Sequence, residues 1–224
     1  MRTIAAFFVL LSMPAFATGI SVLSDEDATA GLKQALGQSI NAAVDKLAVK
    51  NGFLENPKVR IPLPGALQKV EKPMRSLGMS KYAEGLIVVM NRAAETASAE
   101  AAPLMMDALK KMSIEDAKKI LAGDDDAATE YFRNNTSEEM TQKFLPIVKN
   151  ATDQVGLLKK YNEFAGKGAK FGLVPEKHAN IESYVTQKTL DGLYTMMAEE
   201  ESLIRNNPMD QGSKLLQEVF GSLK

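Results

Sequence analysis

From Ser24 onward, apolar positions return every three or four residues along most of the chain, the period of helices buried on one face. Ala28, Leu32, Leu36, Ile40, Val44 and Leu47 make the first such stripe. Ser24 with Asp27 resembles a capping box at its start, Asp25, Glu26 and Asp27 oppose the positive helix end, and Asn51-Gly52 stops it. The period then changes. Asn56 to Gly65 alternates polar with apolar and holds three prolines, which predicts an extended strap laying Val59, Ile61 and Leu63 against the helices. A solitary edge strand is the alternative there.

Helical spacing resumes with a short element from about Ala66 to Ser76. A long one runs from Ser80 to about Ala102, striped by Tyr82, Leu86, Met90, Ala93 and Ala97, with Ile87, Val88 and Val89 widening the apolar face. Pro103 opens Leu104 to Met112, and Ser113-x-x-Asp116 caps a helix that reaches Leu121, with Gly123 beyond its end. Ala127 to Asn134 follows. Thr136-x-x-Glu139 reads as a fresh start for a helix carrying Met140, Phe144, Ile147, Val148 and Ala151, with a kink predicted at Pro146. Leu157 to Ala165, Asn180 to about Asn206, and a last amphipathic segment with Leu215, Leu216, Val219, Phe220 and Leu223 complete the pattern. The prediction is all-α: a single compact multi-helix bundle of about nine helices with one proline-rich strap.

The first residues change the picture of where the chain works. Met1-Arg2-Thr3 is short and positive, Ile4 to Met13 is apolar but for Ser12, and Ala15-Phe16-Ala17 follows Pro14. This order is that of a secretory signal with an A-x-A cleavage site. The expected division is a leader at 1–17 and a single all-α domain at 18–224, released into the periplasm. The apolar run is shorter than the roughly 18 residues a membrane span needs, so no integral membrane segment is expected after cleavage. Nothing in the 45% apolar and 25% charged composition suggests disorder. A net charge of −1 gives no electrostatic footprint for nucleic acid. Zero Cys removes disulfides, thiolate metal sites, Cys nucleophiles and lipid attachment through Cys, and His178 is the single histidine. No cofactor is expected.

Candidate chemistry is therefore sparse. Asn91, Arg92 and Glu95 lie midway along a largely apolar helix and must find partners. They could form a polar pocket in which Arg92 grips a carboxylate or phosphate as a bidentate fork, or an interhelical salt-bridge network, the reading preferred here. Glu201 and Arg205, four apart, read as an ordinary surface pair, whereas Glu200 projects inward with Val185, Met196 and Leu203 and could pair with Arg92. Asp124, Asp125 and Asp126 lack the alternation of a calcium loop and fit helix capping better. Met90, Met196 and Met197 could line an apolar pocket, although methionines more often fill core gaps. No metal-ligand spacing, P-loop, H-E-x-x-H or Ser-His-Asp order is present.

Several strings, in order, resemble one bacterial family, domain of unknown function 4197. They are Val59-Arg60-Ile61-Pro62-Leu63-Pro64, Met90-Asn91-Arg92-Ala93-Ala94-Glu95, Asp116-Ala117-x-x-Ile120-Leu121-x-Gly123, Ala128-Thr129-x-Tyr131-Phe132, Leu190-Asp191-Gly192-Leu193 and Glu200-Glu201-x-x-Ile204-Arg205-x-x-Pro208. The resemblance implies an exported helical domain and supplies no catalytic residues. Some relatives look like lipoproteins, from which this chain departs by having no Cys. The functional expectation is a non-catalytic role, binding an envelope protein or other envelope component. A carrier of a small anionic or amphiphilic ligand is the first alternative. A hydrolase or lyase using Glu95 or Glu200 with Arg92 is the second.

Overall fold

The computed structural model describes residues 24–65, 67, 68, 76, 80–153, 162 and 180–207. These residues form six helices and no strand: α1 (Asp25–Leu47), α2 (Ser80–Ser98), α3 (Ala101–Lys111), α4 (Ile114–Leu121), α5 (Ala127–Thr152) and α6 (Ile181–Asn206). The bundle of about nine helices is thereby corrected. The segments expected at Ala66 to Ser76, Leu157 to Ala165 and around Leu215 to Leu223 fall largely or wholly outside the described residues, as do the leader and His178. The two helices expected on either side of Thr136 are one continuous α5, and Pro146 lies inside it.

Local chemistry explains most of the ends. Ser24 accepts from Asp27 N–H at α1, Ser113 and Asp116 make a complete capping box at α4, and Asn180 accepts from Ser183 N–H at α6. Thr136 misleads because its hydroxyl does not cap anything. It donates back to the Phe132 carbonyl at 2.7 Å, inside an unbroken helix, and lies 2.9 Å from the Tyr194 hydroxyl of α6. The α2 helix ends at Ser98, before Ala102, and Pro103 sits in the first turn of α3, where a missing N–H costs nothing.

Helix α6 packs along α5, α1 and α2, and α2 also packs on α5, so these helices share one core. Leu36, Ile40, Leu47, Met90, Met105, Phe132, Phe144, Val185 and Leu193 lie in the shared core. The strap adds to this core. The extended part is shorter than expected, because Val59 and Arg60 N–H both donate to the Asn56 carbonyl and make 56–59 a turn. Val59, Ile61 and Leu63 are buried and Arg60 and Pro62 exposed, so from the end of that turn alternate side chains face an apolar surface. Close approach is secured at Gly192, where a Cβ would lie 2.7 Å from the Phe53 ring and 3.2 Å from Val59. Only a residue without a side chain lets α6 come this near the segment after α1.

Candidate functional site

Asn91, on the inner face of α2, reads the strap. Its carboxamide oxygen accepts from Ile61 N–H at 2.8 Å, and its NH2 donates to the Ile61 carbonyl at 2.9 Å and to the Ile87 carbonyl at 2.7 Å. One side chain thus supplies both halves of a peptide pairing that a neighbouring strand would otherwise provide. Tyr184 of α6 donates to the Pro62 carbonyl at 3.0 Å from the other side. The strap is held by its backbone from two helices.

One turn further along α2, Glu95 is buried and accepts from Phe53 N–H at 3.2 Å and Leu54 N–H at 3.1 Å. Its second oxygen receives a bond from Arg92, whose other terminal nitrogen donates to the Asn51 side-chain oxygen. Asn91, Arg92 and Glu95 therefore do act together, as a staple between α2 and the segment leaving α1. Arg92 is a third exposed and faces its carboxylate from the edge of the core. Asn51 itself has a φ of 74°, a left-handed conformation that Asn tolerates better than most residues.

The other expected grouping is rearranged. Glu200 does not reach Arg92; it pairs with Lys46 at the end of α1. The inward carboxylate is its neighbour Glu201, buried to 4% exposure, so the ordinary surface pair becomes an interior one. One Glu201 oxygen accepts from Ala128 N–H at 3.0 Å and the other from Thr129 N–H and the Thr129 hydroxyl, each at 2.9 Å. Arg205 donates to Glu201 and to the Ile120 carbonyl near the end of α4, the latter at 2.9 Å. A carboxylate from α6 therefore caps the N-terminus of α5, where the helix dipole and free N–H groups favour negative charge. Asp126 occupies the N-cap position with no side-chain cap bond, which corrects the capping role expected for the three aspartates. Leu203, expected on the same inward face as Glu200, is exposed, because small departures from about 100° per residue accumulate over the roughly four turns from Val185.

A third carboxylate escaped sequence reading altogether. Glu182, in the first turn of α6, accepts from the Asn162 amide at 3.0 Å on both oxygens and lies 3.4 Å from the Thr152 hydroxyl. Its only sequence signal was an acidic residue just after the Asn180 cap.

Met90, Met196 and Met197 are packed in the core, at 0%, 5% and 1% exposure, and fill space between helices. The surface beside the Arg92 staple carries a shallow depression of about 460 Å³, lined by residues including Lys46, Lys50, Asn51 and Pro57. Between α4 and α5, a second depression of about 430 Å³ is walled by Asp116, Asp124, Asp126 and Glu130, with Tyr131 alongside. Burial raises the Tyr131 phenol above its ordinary pKa and Asp116 raises it further. Asp116 is held below the usual aspartate value by the Ser113 hydroxyl and backbone N–H that bond its ionised form. Among the described residues, no three His, Cys, Asp or Glu groups are arranged to hold a metal ion, and no helix is long and apolar enough to cross a membrane.

The strings that carried the family resemblance meet in space. Met90 to Glu95 grips the strap beginning at Val59, Leu190 to Leu193 provides the glycine against Phe53, and Glu200 to Arg205 joins Ala128-Thr129 to Ile120. No curated protein and no solved structure matches the chain. A family model described as a protein of unknown function, DUF4197, matches residues 22–221, and the chain accordingly belongs to that family.

Proposed function

We propose that this protein is exported to the periplasm, loses residues 1–17 and acts there as a single helical domain that binds a partner in the cell envelope without performing catalysis. The leader carries the export part of this reading: a positive start, an apolar run too short for a span and Ala15-Phe16-Ala17.

The use of the interior polar groups carries the non-catalytic part. Glu95 and Glu201 are both buried and both occupied with backbone N–H groups and an arginine. Asn91 is occupied with the Ile61 peptide unit. A general acid or base must reach a substrate proton, and these carboxylates face the turn after α1 and the first turn of α5. Glu200 is held by Lys46 and not by Arg92, while Glu95, which does pair with Arg92, is buried and bonded to the Phe53 and Leu54 N–H groups. An inter-helix carrier site would need Arg92 to leave Glu95 and Asn51, and Met90, Met196 and Met197 to leave the core. Such stapling ties down the segment after α1 and the junction of α4, α5 and α6, and a surface held in place loses little entropy on binding a partner.

Fractionation of a Gram-negative host expressing the full chain, with intact-mass analysis, tests the reading. A periplasmic species beginning at Thr18, crosslinked reproducibly to one envelope component, is the expected result. A cytoplasmic chain retaining Met1, or a periplasmic one that stays monomeric and partnerless under crosslinking, overturns it.

A further inference from the structure

Asn51-Gly52 combines a reactive dipeptide with an unusual hold on it. In any Asn-Gly sequence the glycine nitrogen can attack the asparagine side-chain carbonyl with little steric hindrance, because glycine has no Cβ. Here that reaction is restrained from three directions. Arg92 fixes the Asn51 side-chain oxygen, the Gly52 N–H donates to the Val49 carbonyl at 3.0 Å, and the Asn51 carbonyl accepts from Glu55 N–H at 3.2 Å. Gly52 is wedged against the end of α1, where even a Cβ would lie 2.5 Å from the Lys46 and Leu47 carbonyl oxygens. The attacking nitrogen cannot swing toward the side chain while these contacts persist. The site nevertheless borders the open depression at the end of α1, so water reaches it once the turn yields.

We propose that Asn51 is a latent deamidation site whose conversion is gated by opening of the 51–54 turn, with Arg92 as the latch. On opening, the Gly52 nitrogen gives its proton to solvent base, bonds to the Asn51 side-chain carbon and expels ammonia, closing a succinimide. Water then cleaves either ring carbonyl to leave aspartate or isoaspartate. The sum is one asparagine and one water converted to one aspartyl residue and one ammonia, with no change of oxidation state. The modification accumulates in proportion to the fraction of time the turn is open. The isoaspartyl product also lengthens the main chain beside Phe53 and Leu54, whose N–H groups bond Glu95, so the turn does not close again as before.

When cleavage or modification follows rapid local opening, its rate tracks the open fraction. The full chain is aged at pH 8, folded and in urea, and peptide mapping follows the 1 Da gain at Asn51. Asn56 is an internal blank, because Pro57 has no N–H with which to attack. Conversion in the folded chain is expected to be slower than in urea by about tenfold or more, as loss of a charge-assisted latch implies. Arg92→Lys, which keeps the charge but loses the fork, should accelerate conversion in the folded chain several-fold and leave the rate in urea unchanged. Equal rates in folded and urea-unfolded wild-type chain overturn the proposal without any variant, and so does a folded Arg92→Lys chain that converts no faster.

Discussion

Asn91 is the residue on which the strap depends most directly. Replacing it by Leu leaves the Ile61 N–H and carbonyl buried without their partner, at roughly 1–3 kcal/mol for each orphaned group. Asn91→Leu should therefore lower the urea midpoint by an amount equivalent to about 3 kcal/mol, despite adding apolar volume. Glu201 presents the complementary case of a buried charge. Glu201→Ala removes the carboxylate that Arg205 faces and uncaps α5, and breaking such a buried pair costs about 3–5 kcal/mol. Thermal unfolding of Glu201→Ala beside Glu200→Ala separates the neighbours, because Glu200 meets an exposed Lys46 and its loss should change little. Asp116 gives a pH signature. Its pKa is depressed in the folded chain by Ser113, so its contribution is present above the unfolded aspartate pKa and is lost as pH falls through the lower folded one. Ser113→Ala should reduce that acid-side loss while the Ser113 backbone N–H keeps part of it, seen as a flatter stability profile across the window between the two values.

Elements were legible where local chemistry and tertiary packing agree. The starts at Ser24, Ser113 and Asn180 follow from a side chain within reach of a free N–H three residues on, a relation that needs no other part of the molecule. The start of α5 at Ala127 was legible, but its cap was not, since that comes from Glu201, more than seventy residues away in sequence. Thr136-x-x-Glu139 has the composition of a cap, yet a threonine hydroxyl can equally bond the carbonyl four residues back, and packing against Tyr194 selects that state. At the element scale the decisive contact is that of α6 with the segment after α1. Gly192→Ala places a methyl group 2.7 Å from the Phe53 ring, so helix or ring must shift. An overpacking cost of about 1–3 kcal/mol follows, measurable by denaturant titration even though alanine is the better helix former.

Across the molecule, two staples do related work at different places. Asn91, Arg92 and Glu95 hold the path from α1 to the strap, and Glu201 with Arg205 joins α4, α5 and α6. The first places side chains of α2 onto backbone groups of the segment after α1, and the second places side chains of α6 onto free backbone groups at the ends of α5 and α4. Both meet groups that regular secondary structure leaves without a partner. The all-helical character, the buried alternation of the strap and the polar cluster on α2 followed from the sequence alone, because hydrophobic period, proline and unpartnered polarity are local properties of the chain. Which carboxylate of Glu200 and Glu201 turns inward, what Arg92 grips and whether α5 is one helix or two were decided only by the tertiary structure. Each of those depends on a partner distant in sequence, and a helical period drifts too far over several turns to choose between adjacent side chains.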